Sequence, residues 1–127
     1  MESLIISGTE TSPSIILDPL NNVFLIKGRS IPSDGIIFYE PVLEWLKIYS
    51  YKPNQHTHFT FNLELFNITS SKMFLFILYK LNDIKTAGYH VTVSWCYNND
   101  EMLEAGEDFA YMVEIPFTFI NQPLFFH

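Results

Sequence analysis

Two stretches of the chain alternate strictly between apolar and polar residues. In 58–66, Phe59, Phe61, Leu63 and Leu65 share one side, while Thr60, Asn62 and Glu64 share the other. In 91–97, Val91, Val93, Trp95 and Tyr97 oppose Thr92, Ser94 and Cys96. Successive side chains of a strand point to opposite faces, so both stretches are expected as strands with one buried face. Between them, residues 71–86 run to a stop at Gly88, a length and an ending that predict a helix. Residues 73–79 are apolar on every side, which predicts deep burial. A strand, a helix and a strand at this spacing predict a crossover between two parallel strands. Parallel sheets are usually covered on both faces, but the polar sides of these strands predict helices mainly on one.

The N-terminal part reads as short strands at 4–6, 14–17 and 23–27. Asp18-Pro19-Leu20-Asn21-Asn22 supplies turn chemistry between the last two, because Pro fixes φ and Asn tolerates left-handed backbone. A helix is expected to start with Ser33 or Asp34 as N-cap and to run to about Tyr49, with Val42, Leu43, Trp45, Leu46 and Tyr49 at helical spacing. Pro41 lacks an N–H and crowds the preceding turn, so the helix should either kink there or restart with Pro41 in its first turn. A last helix is expected over 100–113, capped by Asn98 or Asn99, with Asp100 and Glu101 in the first turn where the helix dipole favours them. Residues 116–120 read as a short extended tail. The whole, 1–127, is expected to be one domain of the α/β class with a mixed sheet.

Composition narrows the function classes. With 48% hydrophobic and 17% aromatic residues, the 127-residue chain has ample material for a core and is not of the disordered type. Its twelve Phe and seven Tyr are more than a core of this size needs, which predicts that some remain at the surface as a docking patch. The net charge of −7 argues against nucleic acid and anionic membrane surfaces as partners. No Lys or Arg follows Lys85, so the last third is acidic. The longest apolar run, 73–79, is too short to span a bilayer. A single cysteine, Cys96, forbids an intrachain disulfide, and the first residues lack the pattern of a signal peptide. The expectation is a cytoplasmic protein.

Chemistry concentrates at Asn67-Ile68-Thr69-Ser70-Ser71-Lys72, where a strand hands over to the central helix. Backbone N–H groups at a helix start lack partners and carry partial positive charge, so a phosphate on a hydroxyl there is favoured, with Lys72 able to add a charge-assisted contact. Ser, Thr and Asn at such a point are equally what plain N-capping needs. If Ser70 is the cap, Thr69 is the freer hydroxyl. Asn67-Ile68-Thr69 also matches a glycosylation sequon, without a secretory signal to make use of it. His56 and His58 share a strand face and could hold a metal with Glu64 further along, but a third ligand is not placed by the sequence and structural zinc takes four. Glu104, Glu107 and Asp108 fit the wet face of an amphipathic helix or a contact with a basic partner. No nucleophile elbow, phosphate-cradling glycine loop or zinc spacing is present.

Four stretches, in order along nearly the whole chain, carry a family likeness. They are Glu2 to Thr9 with Thr11 and Pro13; Gly28-Arg29-Ser30-Ile31-Pro32 with 38–46; 65–72; and 91–95 with 100–109. Together they resemble the SiaC family, which is similar in fold and logic to the anti-anti-sigma STAS proteins. The resemblance implies a STAS-like mixed sheet with helices mainly on one face. It also implies a non-catalytic regulatory phosphoprotein without a cofactor or metal. A Ser/Thr kinase would phosphorylate a hydroxyl at the strand-to-helix junction, a PP2C-type phosphatase would remove the phosphate, and the unphosphorylated form would bind an effector such as a diguanylate cyclase. In the family pattern the acceptor directly follows the Asn, as Asn-Thr-Ser-Ser. Here Ile68, which has no hydroxyl, stands in that position. The candidate acceptors become Thr69 first, Ser70 second and then Ser71, and Glu104, Glu107 and Asp108 become candidate partner contacts. The alternatives are an interaction module that has lost its phosphoswitch, and a small metal-dependent hydrolase built on His56, His58 and Glu64.

Overall fold

The computed structural model describes residues 1–123. In chain order its elements are β1 (Leu4–Ile6), β2 (Ser14–Asp18), β3 (Val23–Ser30), α1 (Gly35–Tyr49), β4 (His56–Phe66), α2 (Ile68–Thr86), β5 (His90–Tyr97), α3 (Asp100–Met112) and β6 (Phe117–Asn121). The six strands form one mixed sheet in the order β1-β2-β3-β4-β5-β6, with β1, β2 and β3 antiparallel and β3 to β6 parallel. The extended tail expected at 116–120 is thus a sixth strand, paired with β5 from Val93↔Phe117 to Tyr97↔Asn121.

The hairpin between β2 and β3 closes as its turn chemistry dictates. Asp18 pairs with Val23, Asn22 takes a left-handed φ of 56°, and Asp18 accepts hydrogen bonds from the Asn21 backbone and side chain. Each later strand is added beside the previous one through a helical crossover. When the order always advances in one direction and crossovers share one hand, every helix lands on the same face. The contacts agree: Phe24 of β3 meets Trp45 of α1, Phe61 of β4 meets Phe74 of α2, and Trp95 of β5 meets Phe109 of α3. Phe61 pairs with Ile26 on one side and with Trp95 on the other, so these strand residues share a face. The core lies between that face and helices α1, α2 and α3, and among the described residues the opposite face carries no helix.

Local expectations were corrected in four places. α1 is unbroken from Gly35 to Tyr49, so Pro41 sits inside it and no second helix starts there; Asp34 is the cap, its carboxylate accepting from the Ile37 N–H. α2 begins at Ile68 rather than Ser71, and its cap is Asn67, not Ser70. Its apolar run is buried at Met73, Phe74, Ile77 and Leu78, but Phe76 and Tyr79 face outward. Leu65 does not join Phe59, Phe61 and Leu63 in the core. A β-bulge between Gly28 and Arg29 shifts the register there, Leu65 is exposed, and Phe66 packs on Phe74 and Trp95 instead. α3 is capped by Asn99. Among the described residues no helix is long and apolar enough to cross a membrane.

Candidate docking and modification site

The start of α2 is built around two residues that satisfy its first amides and anchor it. The Asn67 side-chain oxygen accepts from the Ser70 N–H at 2.9 Å, and the Asn67 carbonyl accepts from the Ser71 N–H. Asn67 is itself tied down, its N–H donating to the Ser30 carbonyl at the end of β3.

Ser70 is fully buried. Its hydroxyl donates to the Ser30 carbonyl at 2.8 Å and accepts from the Ser30 hydroxyl at 2.7 Å. The Ser30 hydroxyl lies 2.5 Å from the Tyr39 hydroxyl. Each hydroxyl has one proton, so the direction follows: Tyr39 donates to Ser30, Ser30 to Ser70, and Ser70 to the Ser30 carbonyl. Burial pushes the Tyr39 phenol well above its ordinary range, which keeps the first proton of this relay in place. A buried hydroxyl with both roles occupied is out of a kinase's reach in the folded state, so the structure does not favour Ser70 as acceptor. The network joins the end of β3, the first turns of α1 and the start of α2.

Thr69 is half-buried. Gly35, the first residue of α1, approaches it so closely that a Cβ there would lie 2.8 Å from the Thr69 methyl. The two helix starts therefore abut at Thr69. Ser71 is half-buried and Lys72 exposed. Ile68 is 90% exposed, and Ile36 and Ile37, next along α1 from Gly35, are 60% and 66% exposed. Branched apolar side chains presented to water at two adjoining helix starts form a surface suited to docking. Sequence reasoning missed Ile36 and Ile37, because an Ile-Ile pair just after a cap reads as ordinary helix.

Glu104, Glu107 and Asp108 are exposed on α3, as expected. The start of α3 adjoins the end of β4 across an open groove of about 270 Å³ lined by Glu64, Leu65, Phe66, Asn99, Glu101, Met102 and Ala105. Of the acidic residues on α3, only Glu101 reaches that groove.

The open sheet face holds His56 and His58. Glu64 is engaged by Arg29 in a two-pronged ion pair, Nε to Oε2 at 3.1 Å and Nη2 to Oε1 at 3.0 Å, which takes it away from any metal role with His56 and His58. The Cys96 thiol is buried and held above its ordinary pKa by that burial, which disfavours the reactive thiolate. Loss of solvation, then the neighbouring His56, lowers the pKa of His58. The unfolded chain therefore binds a proton near pH 6.5 that the folded chain takes up only at lower pH. Stability contributed by neutral His58 is present above that value and declines as pH falls below it. Urea midpoints at pH 7.5 and 5.5 should differ less for His58→Gln than for the parent chain.

The chain can now be compared with known proteins. The model for SiaC family regulatory phosphoproteins matches residues 6–122. The chain belongs to the SiaC family. A protein of Pseudomonas aeruginosa (strain UCBPP-PA14), described only as uncharacterized, is 25% identical over 119 residues, covering 92% of this chain and 94% of that one. Crystalline apo-SiaC from P. aeruginosa superposes with a TM-score of 0.87 at 24% identity, covering 95% of this chain and all of that one. P. aeruginosa SiaC has also been solved in complex with the diguanylate cyclase SiaD, of which it is the activator. That SiaC superposes with a TM-score of 0.86 at 24% identity, covering 94% of this chain and 99% of that one. The SiaC fold is thus shared throughout, including the mixed six-stranded sheet and its three helices.

Proposed function

We propose that this protein is a non-catalytic cytoplasmic regulator that docks, through the starts of α1 and α2, onto an effector of the diguanylate cyclase class. In this reading a Ser/Thr kinase and a PP2C-type phosphatase control docking through Thr69. The observation that carries it is the apolar surface of Ile68, Ile36 and Ile37 around a hydroxyl at the abutment of two helices. The activator role of P. aeruginosa SiaC toward SiaD supports the choice of effector class.

The switch needs no change of fold. A phosphate on Thr69 adds about −1.5 to −2 charges at neutral pH. Within an apolar contact that charge would lose its solvation uncompensated, a cost of several kcal/mol, and about 1.4 kcal/mol already means a tenfold loss of affinity. Ser71 is the second candidate acceptor. Glu104, Glu107 and Asp108 would extend the contact toward basic groups on a partner.

A second reading is constitutive docking without the switch. The observation that favours it is Ile68 itself: this 90% exposed position of the junction, where the family pattern has its acceptor, bears no hydroxyl. Incubation with ATP and a candidate Ser/Thr kinase, followed by mass spectrometry, separates the two. The switch predicts one phosphate on Thr69, its loss in Thr69→Ala, and weaker effector binding by the phosphorylated chain. A chain that stays unmodified yet binds effector establishes the constitutive reading.

A further inference from the structure

The sheet ends on β6, and among the described residues no strand pairs with the outer edge of β6. Two hydrogen bonds fix which way its backbone groups point. The Pro116 carbonyl accepts from the Val93 N–H, and the Gln122 N–H donates to the Tyr97 carbonyl. Residues 116 and 122 thus turn toward β5. The residues of a strand that bond a given neighbour alternate, so 118 and 120 turn toward β5 as well. Phe117, Phe119 and Asn121 therefore aim their N–H and C=O groups outward, away from the sheet.

We propose that this edge joins two copies of the chain. The β6 strands lie antiparallel across a two-fold axis at Phe119, which makes one continuous sheet of twelve strands. Phe119 of each copy faces Phe119 of the other, and Phe117 of each faces Asn121 of the other. Each of these pairings exchanges two backbone hydrogen bonds. On the helix-free side, the exposed Ile120 of one copy packs beside Thr118 of the other.

Symmetry, charge and register favour a second copy over a strand of another protein. The outward groups are symmetric about Phe119, so the two-fold leaves none of them unmet. The chain carries a net charge of −7, and α3 holds Asp100, Glu101, Glu104, Glu107 and Asp108. From Phe109 to Pro123, however, Glu114 is the only charged residue, so two acidic copies approach here against the least repulsion. A partner strand rich in Lys or Arg would find no acid on β6 to pair with. Pro123, the next outward position, has no N–H, so sliding the pair toward the C-terminus loses bonds. The edge also lacks the usual guards against pairing: β6 has no charged residue, no proline within it and no bulge against β5. The opposite edge, β1, is blunted by its length of three residues.

The contact is small beside a standard interface, so the expected Kd is about 10–100 μM. Sedimentation equilibrium of the full chain from about 5 to 500 μM should follow a monomer–dimer equilibrium without larger species, since the two-fold closes. Asn121→Pro removes an outward donor from an exposed residue and leaves the bonds to β5 in place. It should keep the parent circular dichroism and weaken dimerisation at least about tenfold. Cysteines read the register in a Cys96→Ala chain. Residues 118 and 120 of opposite copies form a non-hydrogen-bonded pair, with Cα atoms about 4.5 Å apart and within disulfide reach. Two residues 118, or two residues 120, lie diagonally at about 7–8 Å, beyond that reach. Mild oxidation of a mixture of Thr118→Cys and Ile120→Cys chains should therefore give the mixed covalent dimer, while neither chain cross-links alone. A single-chain mass up to about 500 μM, a parent-like dimer in Asn121→Pro, or equal cross-linking of either chain alone would overturn the proposal.

Discussion

Gly106→Ala should lower the stability of this protein by about 3 kcal/mol, although Ala is the better helix former by about 1 kcal/mol. The two effects oppose, and packing decides. Gly106 lies in the middle of α3, buried against β5, and a Cβ on it would stand 2.6 Å from Cγ of Trp95 and closer still to two further indole atoms. Trp95 cannot retreat. It is fully buried, it packs on Phe61, Phe66 and Phe109, and its Nε1 donates to the Met102 carbonyl at 2.9 Å. The added methyl must therefore lift α3 from the sheet or break that bond. Thermal unfolding followed by circular dichroism should show a midpoint about 10 °C lower. A raised midpoint would mean that the helix does not lie this close to the indole.

Ile68→Glu should have the opposite profile, leaving the fold intact and weakening effector binding about 100-fold. Ile68 is 90% exposed, so little packing is lost. A carboxylate in the first turn of a helix is favoured by the dipole, by about 0.3–1 kcal/mol. On the docking surface, however, the same carboxylate would have to shed water against an apolar partner. Ile68→Ala removes contact area without adding charge and should cost about tenfold. The check is the affinity for a diguanylate cyclase of the proposed effector class, with unfolding midpoints alongside. An unchanged affinity in Ile68→Glu would place the docking surface elsewhere.

The sheet was legible in the sequence wherever one face of a strand is buried and its neighbours are regular. The alternation in β4 and β5 gave both the strands and their inward residues, and the Asp18 to Asn22 turn gave the hairpin. Leu65 defeated the pattern because consecutive Gly28 and Arg29 on β3 pair with Leu63 and Leu65, which leaves Glu64 as the extra residue of the bulge and breaks the two-residue period of β4 where its sequence still alternates. The cap of α2 was ambiguous for a local reason. Asn67, Thr69, Ser70 and Ser71 can all cap, and only the burial of Ser70 against Ser30 and Tyr39 removes it from the choice. That hydroxyl relay joins positions up to 40 residues apart, with no spacing to betray it. The junction itself stood out because hydroxyls cluster between an alternating strand and an apolar helix.

Sequential strand order has a consequence for how the chain comes into being. Because β1 through β6 lie side by side as they occur in the polypeptide, the protein can assemble from one end as it leaves the ribosome, each newcomer zipping onto the rim left by its predecessor. At every stage before the last, that rim is a row of unpaired backbone amides and carbonyls. A chain halted after residue 97 would offer water the indole of Trp95, without the helix and the final strand that shelter it. Its fate should be clumping and proteolysis rather than partial function, which makes α3 and β6 a quality checkpoint for the whole molecule.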